Sequence, residues 1–327
     1  MRHFFGAGVS PSRNRSLIGL VIGVAVLLGV TGMLGRYQIS VATTILLYIG
    51  VTSAWNLIGG IAGQFSLASS AFIGVGAYSV VMMLRGLGVP VAVGLAFAVV
   101  VGAAFAAILG VILFRLRGFY FTIGTLAAAL AAMTWMTTWQ FTGGTSGVSA
   151  PLALIPDSKT LYIWAVAAAA ITVAVSILVV NSSLGLRLKS VRDGEDIADS
   201  LGISPFGMKM IAMVISGALT ALGGALFALQ KASIEPKSAF GLDWSITVIV
   251  MAIVGGLGTV WGPVIGAVVI YYGITVQLQS LPAVSALLSG VILVLVIRFL
   301  PGGILGTIET GVRALVARRR RGSSATG

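Results

Sequence analysis

Four stretches of this sequence carry no charged side chain: residues 37–84, 86–114, 118–156 and 244–297. Each exceeds the ~20 apolar residues that a helix needs to cross a bilayer. Inside hydrocarbon no water is available to backbone N–H and C=O groups, so only helices and closed barrels survive there. A transmembrane strand would alternate apolar and polar residues in ~10-residue segments. Runs such as "VAVGLAFAVVVGAAFAAILGVIL" (91–113) do not alternate. Of the 327 residues 58% are apolar and 9% charged, against ~25% charged in a soluble domain. The expected fold is all-α, a polytopic integral membrane protein forming one membrane domain over 1–327, with 8–10 transmembrane helices.

The ten-span version places helices at about 17–34, 39–59, 65–84, 89–114, 119–141, 161–180, 208–230, 245–260, 263–279 and 284–299. The first is longer than a signal peptide's apolar region and lacks its small-residue cleavage site, so it reads as a retained helix. With the N-terminus inside, the inside loops hold 15 of the 20 bases. The outside loops keep Arg36, Arg85, Lys159, Lys231 and Lys237. That asymmetry is what the positive-inside rule expects. It makes 1–16, 181–207 and the basic tail 307–327 cytoplasmic, the last facing lipid through Arg318–Arg321. The same distribution, basic residues beside apolar spans, argues against nucleic acid as the partner.

Two regions are interrupted by glycine: "NLIGGIAGQFSLASSAFIGVGAY" (56–78) and "IVGGLGTVWGPVIGAVVIYY" (253–272). They are either broken helices beside a solute path or close helix–helix contacts through small residues. Their comparable places in the two halves suggest an internal repeat of the transporter kind. The candidate path residues are the polar groups in or near these spans: Asn56, Gln64, Ser66, Ser69, Ser70, Tyr78, Thr122 and Thr125. Thr134, Thr247 and Gln277 are further in-span polar groups. The tryptophans are read as interface anchors near span ends.

Much chemistry is missing. There is no Cys, and the one His is His3, which leaves no structural zinc or haem set. None of the five lysines follows the Gly of a P-loop, so ATP is not bound in that manner. No cofactor is expected. No carboxylate falls in the middle of a span, which disfavours proton coupling and intramembrane catalysis; the chain is read as a non-enzyme.

Against this background "KSVRDGEDIADSLGIS" (189–204) stands out, because four of the eight acidic residues fall within 193–199. Seven charges from Arg187 to Asp199 would cost on the order of 17 kcal/mol in the bilayer centre. The stretch reads as one short amphipathic helix over 191–201. Ser190 and Asp193 have capping-box spacing. Arg192 lies within reach of Glu195 and Asp196. Ile197 and Leu201 form an apolar edge extended by Ala198. Gly202 suits the C′ position, and Pro205 ends continuation.

"GEDIADSLGI" resembles the loop motif of ABC importer permeases, with Asp196, Ala198 and Gly202 at the spacing of its Glu, Ala and Gly, Asp standing where Glu is usual; Glu195 offers an alternative register. "NLIGGIAGQFSLASSAFIGVGAYSV" (56–80), "RLRGFYFTIGTLA" (115–127), "TGGTSGV" (142–148), "ISGALTALGGALFAL" (215–229), "VGGLGTVWGPVIGAV" (254–268) and "LPGGILG" (300–306) are similar, in order, to the LivM-type branch of the branched-chain amino-acid permease family. The chain departs from that family at "TLAAALAAM" (125–133), which lacks an acidic residue, at Ser69-Ser70, and at Arg298, three residues ahead of Pro301.

The resemblance implies a transmembrane permease subunit of a bacterial ABC importer in the inner membrane. It implies a cytoplasmic ABC ATPase as reader of the loop through Arg192, Glu195, Asp196, Ala198, Asp199 and Gly202, with a second homologous permease and an external solute-binding protein as further partners. The expected cargo is a branched-chain or other amino acid. The alternatives are the same machine carrying urea, an amide or a sugar, and a self-contained secondary carrier.

Overall fold

The computed structural model describes residues 13–277 and 302–307, with isolated helical positions between 287 and 298. Among the described residues eight helices are long and apolar enough to span a membrane. They are α1 (Arg13–Val30), α2 (Arg36–Asn56, continued by a widened turn at Leu57–Ile61), α3 (Ser69–Leu87), α4 (Val91–Leu113), α5 (Phe119–Thr138), α6 (Ser158–Val180), the long α9 (Pro205–Lys231), and α10 (Pro236–Ala239) running into α11 (Leu242–Gly255). Between α6 and α9 lie two short helices, α7 (Ser183–Asp193) and α8 (Glu195–Ser200). After α11 comes α12 (Gly262–Ile270), prolonged by a widened turn over Tyr271–Val276. The expected ninth span, 263–279, is therefore shorter: Gly262–Val276 reaches about 22 Å at 1.5 Å per residue. The expected tenth lies mostly outside the described residues.

Local chemistry sets the helix ends. Asp157 caps α6, accepting the Lys159 N–H at 3.2 Å. The Thr160 hydroxyl first, helped by backbone N–H groups, holds its carboxyl below the usual carboxylate range. Ser204 caps α9 and Pro205 opens it, where a missing N–H costs nothing. Gly88, with φ 61°, closes α3 in the left-handed region.

In lipid the hydrophobic effect does not drive helices together, so close van der Waals approach must. α9 is the pillar, packed on α3 and α4. Its Gly224 meets backbone: a Cβ there would lie 2.2 Å from the Ile73 carbonyl oxygen. One at Gly76 of α3 would lie 2.0 Å from that of Ala221. α2 packs on α6, and α1 lies outside α6 with only Ser16 buried. α5 buries a single stripe, Phe121, Thr125 and Ala129, and turns its other faces outward.

The two ends of the bundle differ. At one end a two-residue antiparallel pair, β1 (Val148–Ser149) with β2 (Ser233–Ile234), ties the loop after α5 to the end of α9. At the other end meet the 57–68 segment, α7, the 256–261 loop and the 302–307 turn. A Cβ at Gly303 would come within 2.5 Å of Gly256 Cα.

Candidate functional site

The first glycine interruption is a built structure. After Asn56 the helix widens by one residue, with the Ala62 N–H donating to Leu57 at 3.1 Å, and then unwinds to Ser69. Neighbouring helices satisfy the freed backbone. The Trp55 indole N–H donates to the Ser66 carbonyl at 2.8 Å. The Thr122 hydroxyl of α5 donates to the Phe65 carbonyl at 2.8 Å. The Thr125 hydroxyl accepts the Leu67 N–H at 2.9 Å. Ser245 of α11 donates to the Leu67 carbonyl at 2.8 Å and accepts the Ser70 N–H at 2.9 Å. The non-helical backbone is thus held by hydrogen bonds from α2, α5 and α11.

The second interruption is locked to the first by one side chain. Asn56, 1% exposed, donates from Nδ2 to the Thr259 carbonyl at 2.8 Å. Its Oδ1 accepts the Gly258 N–H at 2.9 Å. Gly258 has φ 74°, a conformation that suits glycine. A Cβ at Gly60 would lie 2.6 Å from the Gly258 nitrogen, so the two breaks touch backbone to backbone.

Half of the eight expected path residues are thus engaged in holding the breaks. Asn56, Ser66, Thr122 and Thr125 have partners within the chain. Gln64 and Ser69 are buried. The hydroxyls of Ser70 and Tyr78 are buried and find no hydrogen-bond partner among the described residues. Trp55 corrects the reading of tryptophans as interface anchors: it is 1% exposed and braces the break, because its indole N–H needs a buried acceptor. Trp135 and Trp139 are exposed.

The acid-rich segment also differs from expectation. It is two helices, not one over 191–201, broken at Gly194, whose extended backbone interrupts the ladder. Ser190 is no cap: it lies inside α7, its hydroxyl donating to the Leu186 carbonyl at 3.1 Å. The helix starts earlier, after Ser182. Arg192 donates from Nε to the adjacent Asp193 at 3.2 Å and from Nη1 to the Gly60 carbonyl at 3.4 Å. Glu195 instead forms an ion pair with Lys209 of α9. Sequence proximity suggested the wrong partner because Gly194 turns α8 away from α7 and onto α9.

The C-terminal reading of this segment holds. Gly202 has φ 75°. Its N–H bonds to Asp199 at 2.9 Å and that of Ile203 to Ala198 at 3.0 Å, the paired bonds of a Schellman motif. Ala198 is fully buried, whereas Ile197 and Leu201 are 65% and 69% exposed. Asp196 and Asp199 are exposed. α8 is therefore a two-faced element: a small residue and Glu195 fasten it to the bundle, and two carboxylates with two aliphatic side chains point away.

Lys209 went unnoticed in the sequence as anything but a loop base. It is 2% exposed, with Nζ 6.0 Å from the Phe114 ring centroid. Replacing Glu195 by Gln leaves a buried ammonium without its carboxylate. The expected loss is about 2 kcal/mol, below the range for fully buried pairs because Glu195 itself is partly exposed. Thermal melts of Glu195→Gln, and of that change combined with Lys209→Met, check this. The double variant is expected to recover most of the lost stability.

Eight helices long and apolar enough to span, two interlocked backbone breaks and a short two-faced helix held at one end define a multi-pass membrane protein. The sequence matches the family model described as "Branched-chain amino acid transport system / permease component" over residues 37–297. The chain belongs to that family. It is 25% identical over 307 residues to the "High-affinity branched-chain amino acid transport system permease protein LivM" of Escherichia coli (strain K12), covering 84% of this chain and 71% of that one. The protein of the same name from Salmonella typhimurium is 26% identical over the same shares. A "Probable branched-chain amino acid transport permease protein LivM" of Methanocaldococcus jannaschii is 25% identical over 55% of this chain and 58% of its own. No solved structure matches.

Proposed function

We propose that this chain is the transmembrane permease subunit of an ABC importer in a bacterial inner membrane, taking up branched-chain or chemically similar amino acids. Family membership and the names of its relatives support the cargo. The observation that carries the mechanism is the outward edge of α8: Asp196, Ile197, Asp199 and Leu201 exposed on a helix whose other face is fastened through Ala198 and the Glu195–Lys209 pair. Such an edge is a handle for a soluble protein, since anionic lipid repels carboxylates. The partners in this reading are cytoplasmic ATPases on that edge, a second homologous permease and an external solute-binding protein.

The end bearing α7 and α8 also carries Arg115, Arg117, Arg187 and Lys189, which favours placing it, with both termini, in the cytoplasm. ATP hydrolysis belongs to the partner, and this chain performs no covalent chemistry. Ser70 and Tyr78, with unspent hydrogen-bonding capacity, are the first candidates to meet solute when the bundle opens. Gln64, Ser66, Ser69, Thr122 and Thr125 line the neighbouring break, and Asn56 joins the two breaks.

Proteoliposomes carrying the permease pair, its ATPase and its binding protein test this. Uptake of radiolabelled leucine is expected only with ATP inside or at the ATPase-bearing face, and unlabelled isoleucine and valine are expected to compete. Uptake by the permease alone, driven by an ion gradient, would show a secondary carrier instead.

A further inference from the structure

The loop that would meet an ATPase and the two helix breaks are joined through one side chain. Arg192 sits at the end of α7, two residues from the break at Gly194. Its guanidinium donates to the Gly60 carbonyl in the first interruption at 3.4 Å. The same Nη1 would lie 3.3 Å from a Cβ at Gly258, in the second interruption. Its stem lies on Gly63, where a Cβ would fall 2.4 Å from Arg192 Cγ. Gly60 and Gly258 are also the residues that touch each other and that Asn56 ties together. Arg192 therefore reaches the point at which both breaks meet.

We infer that Arg192 is a positioning residue that latches the α7–α8 loop to the interlocked breaks. In the proposed importer it converts displacement of the loop into separation of those breaks, without itself touching the ATPase. Three features carry this. The guanidinium is turned inward, its side chain 16% exposed, while the edge of α8 points out. Its acceptor is a carbonyl freed by the widened turn, a group with no helical partner to compete for the bond. Asp193, 71% exposed, takes the Nε at 3.2 Å and holds the fork in place. A planar fork with several fixed donors can hold a carbonyl and a carboxylate at once, which a lysine head cannot do in the same geometry.

The inference rests on the importer reading, so its test separates the two. In the reconstituted complex, solute moved per ATP hydrolysed and the ATPase retained on purification are measured for Arg192→Ala, Arg192→Lys and Gly63→Ala. The ATPase is expected to stay bound, while the transport ratio falls about tenfold in Arg192→Ala, within the usual range of coupling between sites. Arg192→Lys is expected to restore part of the ratio. Gly63→Ala, which displaces the arginine stem and leaves its charge, is expected to uncouple as well. An unchanged ratio overturns the inference. So does loss of the ATPase from Arg192→Ala, which would put Arg192 in the docking surface and leave the importer reading standing. If Arg192→Ala does not assemble, an unchanged ratio in Arg192→Lys overturns it. The importer reading itself fails, independently, if the natural chain retains no ATPase and moves solute without ATP.

Discussion

Asp196→Asn combined with Asp199→Asn is expected to strip the ATPase from the purified complex and abolish ATP-driven uptake, with the permease still folded. Both side chains are exposed and neither is an acidic partner of the ion pairs found among the described residues, so removing them costs the isolated fold little. At a protein interface, a charge-pair partner lost contributes about 1.5 kcal/mol or more. Two such losses give about 3 kcal/mol, roughly a hundredfold in affinity. Pull-down with the tagged ATPase, titrated in salt, measures the change. Asp243→Asn, an exposed carboxylate at the opposite end of the bundle, should bind the ATPase as the natural chain does. Glu195 is excluded from this pair, because its removal also unsettles Lys209 and would confuse a docking defect with a folding one. Equal ATPase binding by the double variant and the natural chain would remove the basis for reading α8 as a handle.

Gly266→Ala is expected to be, with Gly255→Ala, among the most damaging single-methyl changes in the described structure. A Cβ there would lie 1.8 Å from the Met251 carbonyl oxygen and 2.9 Å from the Gly255 nitrogen. Gly255 reciprocates, its Cβ falling 1.8 Å from the Gly262 carbonyl oxygen. Every obstacle is backbone, so no rotamer relieves it and α11 must move off α12. That exceeds ordinary overpacking, which costs about 1–3 kcal/mol. Loss of a monodisperse peak in detergent and a collapsed thermal melt are the readouts. Gly23→Ala and Gly29→Ala in α1, where a Cβ meets nothing within 4 Å, are the controls. They are expected to be neutral or slightly stabilising, as Gly→Ala in a helix gains up to about 1 kcal/mol. A normal melt for Gly266→Ala would overturn the backbone-to-backbone contact between α11 and α12.

The glycine interruptions show how far pattern reaches. "NLIGGIAG" and "VGGLGTVWG" announce themselves as either broken helices or close contacts, and they are both. The alternatives could not be separated from the letters, because the partner of each break is the other break, about 200 residues away. Asn56 illustrates the same limit. As a lone amide in an apolar run it reads equally well as a solute ligand or a structural bond. Only its position opposite Gly258 and Thr259 shows both halves of the amide engaged. Gly202 was legible because a C′ glycine answers to its own six-residue neighbourhood. Arg192 and Lys209 were not, since their contacts lie on other elements.

Hydropathy alone dictated that this chain is a helical membrane bundle, since uncharged runs of this length leave the backbone no other way to satisfy itself in lipid. Charge alone argues against placing Arg187 to Asp199 in the hydrocarbon, since seven charged side chains fall there. Which carboxylates of that segment are fastened, and that one arginine of the loop bonds the first break beside its junction with the second, depended on tertiary packing. Ion pairs and backbone contacts between distant segments are set by the geometry of approach, and no local spacing encodes it.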